Sequence, residues 1–150
     1  MPPSIAVDAL KTQPLFQGLT PEELSNVSTL VFEKTYPKNS TLFVEGMTGE
    51  ILYLIQKGKV EITHKDAKGE EKVLATLGVG EFLGEMSLID NRPRTATARA
   101  GEDLALLVMT KKAFNTLMEK YPSAALKVVM VFLKTANERL RKANELAKQV

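Results

Sequence analysis

Between Val31 and about Val108 the chain breaks into short β-type runs, VFEKTY, STLFVE, ILYLIQ, KVEITHK, EKVLATL, TATARA and DLALLVM. Nothing else in the sequence restricts the fold as much. The runs are separated by Pro37-Lys-Asn39, Gly46-Met-Thr-Gly49, Gly58-Lys59, Asp66-Ala-Lys-Gly69 and Gly78-Val-Gly80. These separators carry the residues that preset φ or tolerate positive φ, so each one turns the chain. Strands this short and this closely spaced predict an antiparallel sandwich or barrel.

Helical patterns flank this core. A first helix is expected near Ile5 to Thr12, and a second from Pro21 to about Val27, with Thr20 as N-cap, Pro21 at N1 and Glu23 at N3. After Thr110 a helix is expected from Lys112 to Lys120, broken at Tyr121-Pro122 because the residue before proline is driven out of the helical region. Ser123 then caps a long last helix. There Leu126, Val129, Leu133, Ala136, Leu140, Ala143 and Ala147 recur at alternating three- and four-residue steps. Such a seam suits a partner helix, and the expected partner is the same helix of a second copy. The expectation is therefore an α+β, mainly β, single domain: N-terminal helices over 1–30, an antiparallel β-roll or jelly roll over 31–110, and C-terminal helices over 111–150.

Composition narrows the function. About 44% apolar residues fill one core in a chain of 150. Without cysteine there is no disulfide framework, thiolate metal site or cysteine nucleophile. No secretory signal precedes the first helix, and no run approaches the ~18 apolar residues of a membrane span. A cytoplasmic protein without membrane contact is expected. The net charge is +2, with 20 basic and 18 acidic residues interspersed, which offers DNA no footprint. The tail ERLRKANELAKQ alternates basic, acidic and apolar residues, as a solvated dimer helix does.

The most unusual stretch is GVGEFLGEMSLIDNRPRTATARA, from Gly78 to Ala100, too polar in its middle for a strand. Gly84 followed by Glu85-Met-Ser-Leu-Ile reads as a tight turn opening into one helical turn, whose N–H groups point back along the chain. Pro93 forces an extended backbone, and Arg94 is followed by the small residues Thr95, Ala96 and Thr97. A guanidinium beside accessible backbone donors suits a phosphate.

The stretch resembles the phosphate-binding cassette of the cyclic nucleotide-binding domain family, found in catabolite activator proteins, cyclic-nucleotide-dependent kinases and gated channels. The family's Gly-Glu pair, apolar run and Arg with two small residues are met by Gly84-Glu85, Met86 to Ile89, and Arg94-Thr95-Ala96. Gly46, Gly49, the run Ile51 to Ile55 and Gly58 match an earlier signature. Met47 and Phe43 depart from it, the one affecting a turn and the other packing. The resemblance implies that cAMP or cGMP binds, with Arg94 on the cyclic phosphate and Glu85 on the ribose 2′-hydroxyl. It also implies that the amides of Met86, Ser87 and Ala96 complete the cradle and that Gly84 gives access to the sugar. Thr95 contacts the phosphate, or a syn guanine if the ligand is cGMP.

In the family the last helix closes over the base, and the lid candidates here are Asn137, Leu140, Arg141 and Asn144. The chain ends at Val150 soon after that helix, so the output is expected through an unidentified effector protein, unless these residues belong to a longer chain. No enzyme constellation is expected. A cupin-like metal site needs two or more histidines, and only His64 is present. Ser87 has no base. No cofactor or metal is expected beyond the nucleotide. The remaining alternative is a ligand-free dimerisation module of the same fold.

Overall fold

The computed structural model describes residues 7–148. The expected helix start at Ile5 lies outside them. The chain forms α1 (Val7–Lys11), a 3-10 turn (Pro14–Phe16), α2 (Pro21–Ser28), then β1 (Phe32–Tyr36), β2 (Thr41–Phe43), β3 (Ile51–Lys57), β4 (Val60–Lys65), β5 (Glu71–Leu77) and β6 (Phe82–Leu83). There follow α3 (Glu85–Ile89), β7 (Thr97–Ala100), β8 (Leu104–Thr110), α4 (Lys111–Lys120) and α5 (Pro122–Lys148). No described helix is long and apolar enough to cross a membrane.

The strands form two four-stranded antiparallel sheets, in the orders β1-β8-β3-β6 and β2-β7-β4-β5, as expected for a β-roll. All seven anticipated runs contain a strand. Phe82–Leu83 was not anticipated; two residues cannot display a period, and this strand exists only because Tyr53 and Leu54 of β3 pair with it.

The central strands β3 and β8 are buried on both faces. Leu52 and Leu54, with Leu107 and Met109, face a cluster completed by Leu10, Phe16, Phe114, Val128 and Phe132 of the helical elements. The alternate residues Tyr53, Ile55, Leu106 and Val108 face the roll interior with Val60, Leu83, Ala98 and Ala100. Two cores thus share one sheet, which is why these strands read as unbroken apolar runs.

At α2 the Thr20 hydroxyl accepts from the Glu23 N–H at 3.2 Å while Glu23 Oε1 accepts from the Thr20 N–H at 2.8 Å, the reciprocal cap expected from the sequence. Two expectations for the last helix are corrected. Pro122 opens α5, so Ser123 is its second residue and not its cap; proline needs no donor in the first turn. The exposed stripe is also different. Ala124, Ala125, Val128 and Phe132 face the core, and Val129 packs beside them. Leu126, Met130, Leu133 and Leu140 are exposed, at steps of four, three and seven. Of the expected seam, Val129 is thus half-buried against the core and its neighbour Met130 is exposed in its place, whereas Ala136 and Ala143 are exposed like Asn137 and Asn144.

Candidate functional site

The cassette wraps one end of the roll. Gly84, at φ 89°, is the N-cap of α3. A side chain there would strike the Ile51 carbonyl, so both the left-handed backbone and the close approach require glycine. Far earlier in the chain, the β2–β3 connection grips the other half of the cassette: the Gly46 N–H donates to the Arg94 carbonyl, and the Arg94 N–H donates to the Met47 carbonyl, both at 2.8 Å. Met47 acts through its backbone, and its side chain is exposed.

Arg94 is buried, at 8% exposure, as is Glu85 at 7%. Arg94 Nη2 donates to the Ile51 carbonyl at 3.1 Å, while the buried Nε has no partner. Among the described residues no carboxylate lies within ion-pair distance of this guanidinium. Burial works against its charge and lowers its pKa; the Tyr53 and Glu85 side chains act in the opposite direction. Burial pushes the Tyr53 phenol up to about 12, so it is neutral near pH 7 and does not offset the cation.

The Arg94 guanidinium stacks 4.1 Å from the centre of the Phe43 ring, which in turn lies 6.2 Å from Tyr53. Gly49 leaves room for it, because a Cβ there would stand 2.6 Å from Arg94 Nε. The sequence reading treated Phe43 as packing and Gly49 as signature; both shape the arginine's seat. Such a role is invisible in sequence because the three residues meet only across the roll.

Arg94 opens on a cavity of about 470 Å³. All seven cassette residues expected from sequence line it: Gly84, Glu85, Met86 and Ser87 on one side, Arg94, Thr95 and Ala96 on the other. Phe43, Ile62, Ala75, Leu77 and Leu83 provide an apolar wall. The Ser87 N–H donates to the Gly84 carbonyl at 3.1 Å, so one of the three expected cradle amides is already engaged. Asp90 and Arg92 also reach the cavity and pair with each other at 3.0 Å.

The lid candidates Asn137, Leu140, Arg141 and Asn144 are exposed and lie outside the cavity lining. Helix α5 contributes Arg139 instead, which the sequence reading passed over. Its Nη1 donates to Glu85 Oε1 at 2.7 Å and its Nη2 to the Phe82 carbonyl at 3.1 Å. Periodicity gives the spacing along a helix but not which flank faces the roll, so nothing in the sequence marked it. His64 lies exposed on β4, with Nδ1 3.1 Å from Glu45.

One cavity in the two-sheet roll thus brings together a buried arginine without a carboxylate at ion-pair distance, an apolar wall and a glycine-opened turn. Residues 33–121 match the cyclic nucleotide-binding domain family, and the chain belongs to it. It is 39% identical over 116 residues to the cyclic AMP receptor protein of Thermus thermophilus, covering 77% of this chain and 54% of that one. The solved catabolite activator protein of the same organism superimposes with a TM-score of 0.76 at 34% identity, over 90% of this chain and 63% of that one. The regulatory domain of Toxoplasma gondii PKA, solved with cAMP, gives 0.64 at 31% identity, over 73% and 42%. The chain spans about half the length of the bacterial curated relatives it matches.

Proposed function

We propose that this domain binds a cyclic purine mononucleotide, cAMP or cGMP, and acts as a sensor without catalysis of its own. The observation that carries this reading is Arg94, a buried guanidinium with an unpartnered donor and no carboxylate at ion-pair distance. Burying an unpaired charge is costly, and a bound anion removes the cost. The cavity charges agree. Arg92, Arg94 and Arg139 against Glu85 and Asp90 leave one positive charge, which matches a cyclic phosphate monoanion.

In this reading Arg94 takes the equatorial phosphate oxygens, Glu85 the ribose 2′-hydroxyl, and the apolar wall of Ile62, Ala75 and Leu77 faces the base. Thr95, exposed at the mouth, is placed for phosphate or for the amino group of a guanine. The named ligands of similar proteins support the class: a cAMP receptor, cAMP-dependent kinase regulatory subunits and a cGMP-dependent kinase.

Helix α5 is the proposed output. Its exposed stripe of Leu126, Leu133 and Leu140, alternating with Met130, Asn137 and Asn144, has the form of a two-helix seam. The residues following each leucine are Lys127, Lys134 and Arg141, and those preceding each Met or Asn are Val129, Ala136 and Ala143. An antiparallel pairing would set basic against basic; a parallel pairing sets each basic flank against the small one and Asn against Asn. A parallel homodimer through α5 is therefore proposed, with ligand shifting helix position and an effector protein reading the change. In such a dimer Asn137, Leu140 and Asn144 serve the seam, and they act as a lid only if α5 moves.

The test is calorimetric titration of nucleotide-stripped protein with cAMP and with cGMP, beside Arg94→Ala. One nucleotide is expected to bind, and Arg94→Ala to weaken it by about 2–5 kcal/mol, as when a buried charge loses its partner. A folded, stripped protein that binds neither is a dimerisation module with an empty cassette.

A further inference from the structure

Strand β5 carries one side of the cavity on little support. It is an edge strand paired only with β4, and all its residues but Leu77 are exposed. Yet its Ala75 and Leu77 line the cavity beside Ile62 of β4. Just before Ala75 the ladder is interrupted: Ile62 pairs with Ala75 and Thr63 with Val73, so Leu74 is left without a partner. A bulge of this kind disrupts the ladder and bends the strand, here right beside the apolar wall.

Arg99 bridges that interruption. It lies on β7, the strand that follows directly on the Arg94-Thr95-Ala96 arm of the cassette. There it stands opposite Glu61 of β4, which in turn stands opposite Thr76, between the two wall residues of β5. The guanidinium does not stop at that row. Nη2 lies 3.6 Å from Glu61 Oε1, and Nη1 lies 2.9 Å from Glu71 Oε1, at the other end of β5. The three side chains are each about one-third exposed, and Arg99 Nε is buried, so the group is set into the sheet face. A planar fork can face two carboxylates at once, and partial burial protects the pairing from the screening that weakens a surface pair. The result is a diagonal brace from β7 over β4 to the first residue of β5, with the bulge between its ends.

We infer that Arg99 is a positioning residue for the base: through Glu71 it ties β5 to the strand that carries the phosphate arm, and so sets the apolar wall relative to Arg94. This rests on the proposed binding of a cyclic nucleotide and extends it from the phosphate to the base. Arg99 lies outside the cavity lining, so it acts only through the strand it holds.

The experiment separates the base from the rest of the ligand. Affinities are measured for cAMP, for cGMP and for methyl ribofuranoside 3′,5′-cyclic phosphate, which keeps the phosphate and the 2′-hydroxyl but has no base. The wild type is expected to favour the better-bound nucleotide over the base-free probe by about thirty- to a hundredfold, as when an aromatic ring is laid on apolar surface. In Arg99→Met that ratio is expected to fall by about three- to tenfold, with affinity for the base-free probe nearly unchanged. Glu71→Gln, on the partly exposed end of the brace, is expected to do the same and serves if Arg99→Met does not fold. Glu61→Gln leaves the link to β5 in place and is expected to keep the wild-type ratio. Combining Arg99→Met with Glu71→Gln adds no further loss, because both remove one interaction.

A ratio unchanged in Arg99→Met and Glu71→Gln overturns the inference, and so does an equal weakening of nucleotide and base-free probe. A loss in Glu61→Gln as large as in Glu71→Gln assigns the effect to the whole sheet and overturns it as well. If the wild type binds neither nucleotide, the proposed function fails and this inference with it. If it binds and only the ratio is insensitive to the brace, the function stands and the positioning role alone is lost.

Discussion

Burying a guanidinium is unfavourable in any protein, and the surroundings of Arg94 offset the cost in parts. The Ile51 carbonyl accepts one N–H, the Phe43 ring supports the flat face, and Gly49 removes the Cβ that would displace it. What they do not supply is a negative charge, and that is the basis of the proposed anion site. Glu23 is the opposite case, an acid with two donors. The Lys127 ammonium first, and then the Thr20 N–H, hold its carboxyl at about 2, well below the ordinary carboxylate range. Because the folded value is depressed, the stabilisation is fully present above the unfolded value near 4.5 and disappears as pH falls toward 2. Glu23→Gln preserves the cap, since glutamine serves equally at N3, and removes only the charge. It is expected to lower stability by about 0.5–1 kcal/mol at pH 7 and by much less at pH 2, where the folded carboxyl is about half protonated, read from urea unfolding at the two pH values.

Among the elements, α5 has two surfaces with different fates. One is fixed by Ala124, Ala125, Val128 and Phe132 in the core, by Lys127 on Glu23 and by Arg139 on Glu85. The other presents Leu126, Met130, Leu133 and Leu140 outward. A double change, Leu133→Lys with Leu140→Lys, leaves the core untouched because both leucines are more than half exposed. It is expected to convert the proposed dimer to a monomer with little change in melting temperature, as read by sedimentation; a dimer that survives places the interface elsewhere.

For the whole molecule, the two sheets and the helical layer converge on β3, whose residues face both cores and whose Ile51 carbonyl receives Arg94. The nucleotide proposed to bind at Arg94 is therefore expected to stabilise the fold as a unit. At a nucleotide concentration a hundred times the Kd, binding contributes about 2.7 kcal/mol, which for a chain of this size raises the melting temperature by ~5–10 °C. The shift is expected to vanish in Arg94→Ala. Much of this organisation was legible beforehand. Every long strand lay within an apolar run bounded by turn residues, the α2 cap was spelled by Thr20, Pro21 and Glu23, and the cassette stood out as a glycine-opened, arginine-bearing interruption of the β pattern. These are local properties, set by φ preferences and by polarity along adjacent residues, and they act before any distant contact forms. The two-residue β6, the exposed flank of α5, and the roles of Phe43, Gly49 and Arg139 were decided by the tertiary structure alone. Each depends on which residue from another part of the chain arrives opposite, and only closure of the roll and docking of α5 bring those partners within a few ångströms.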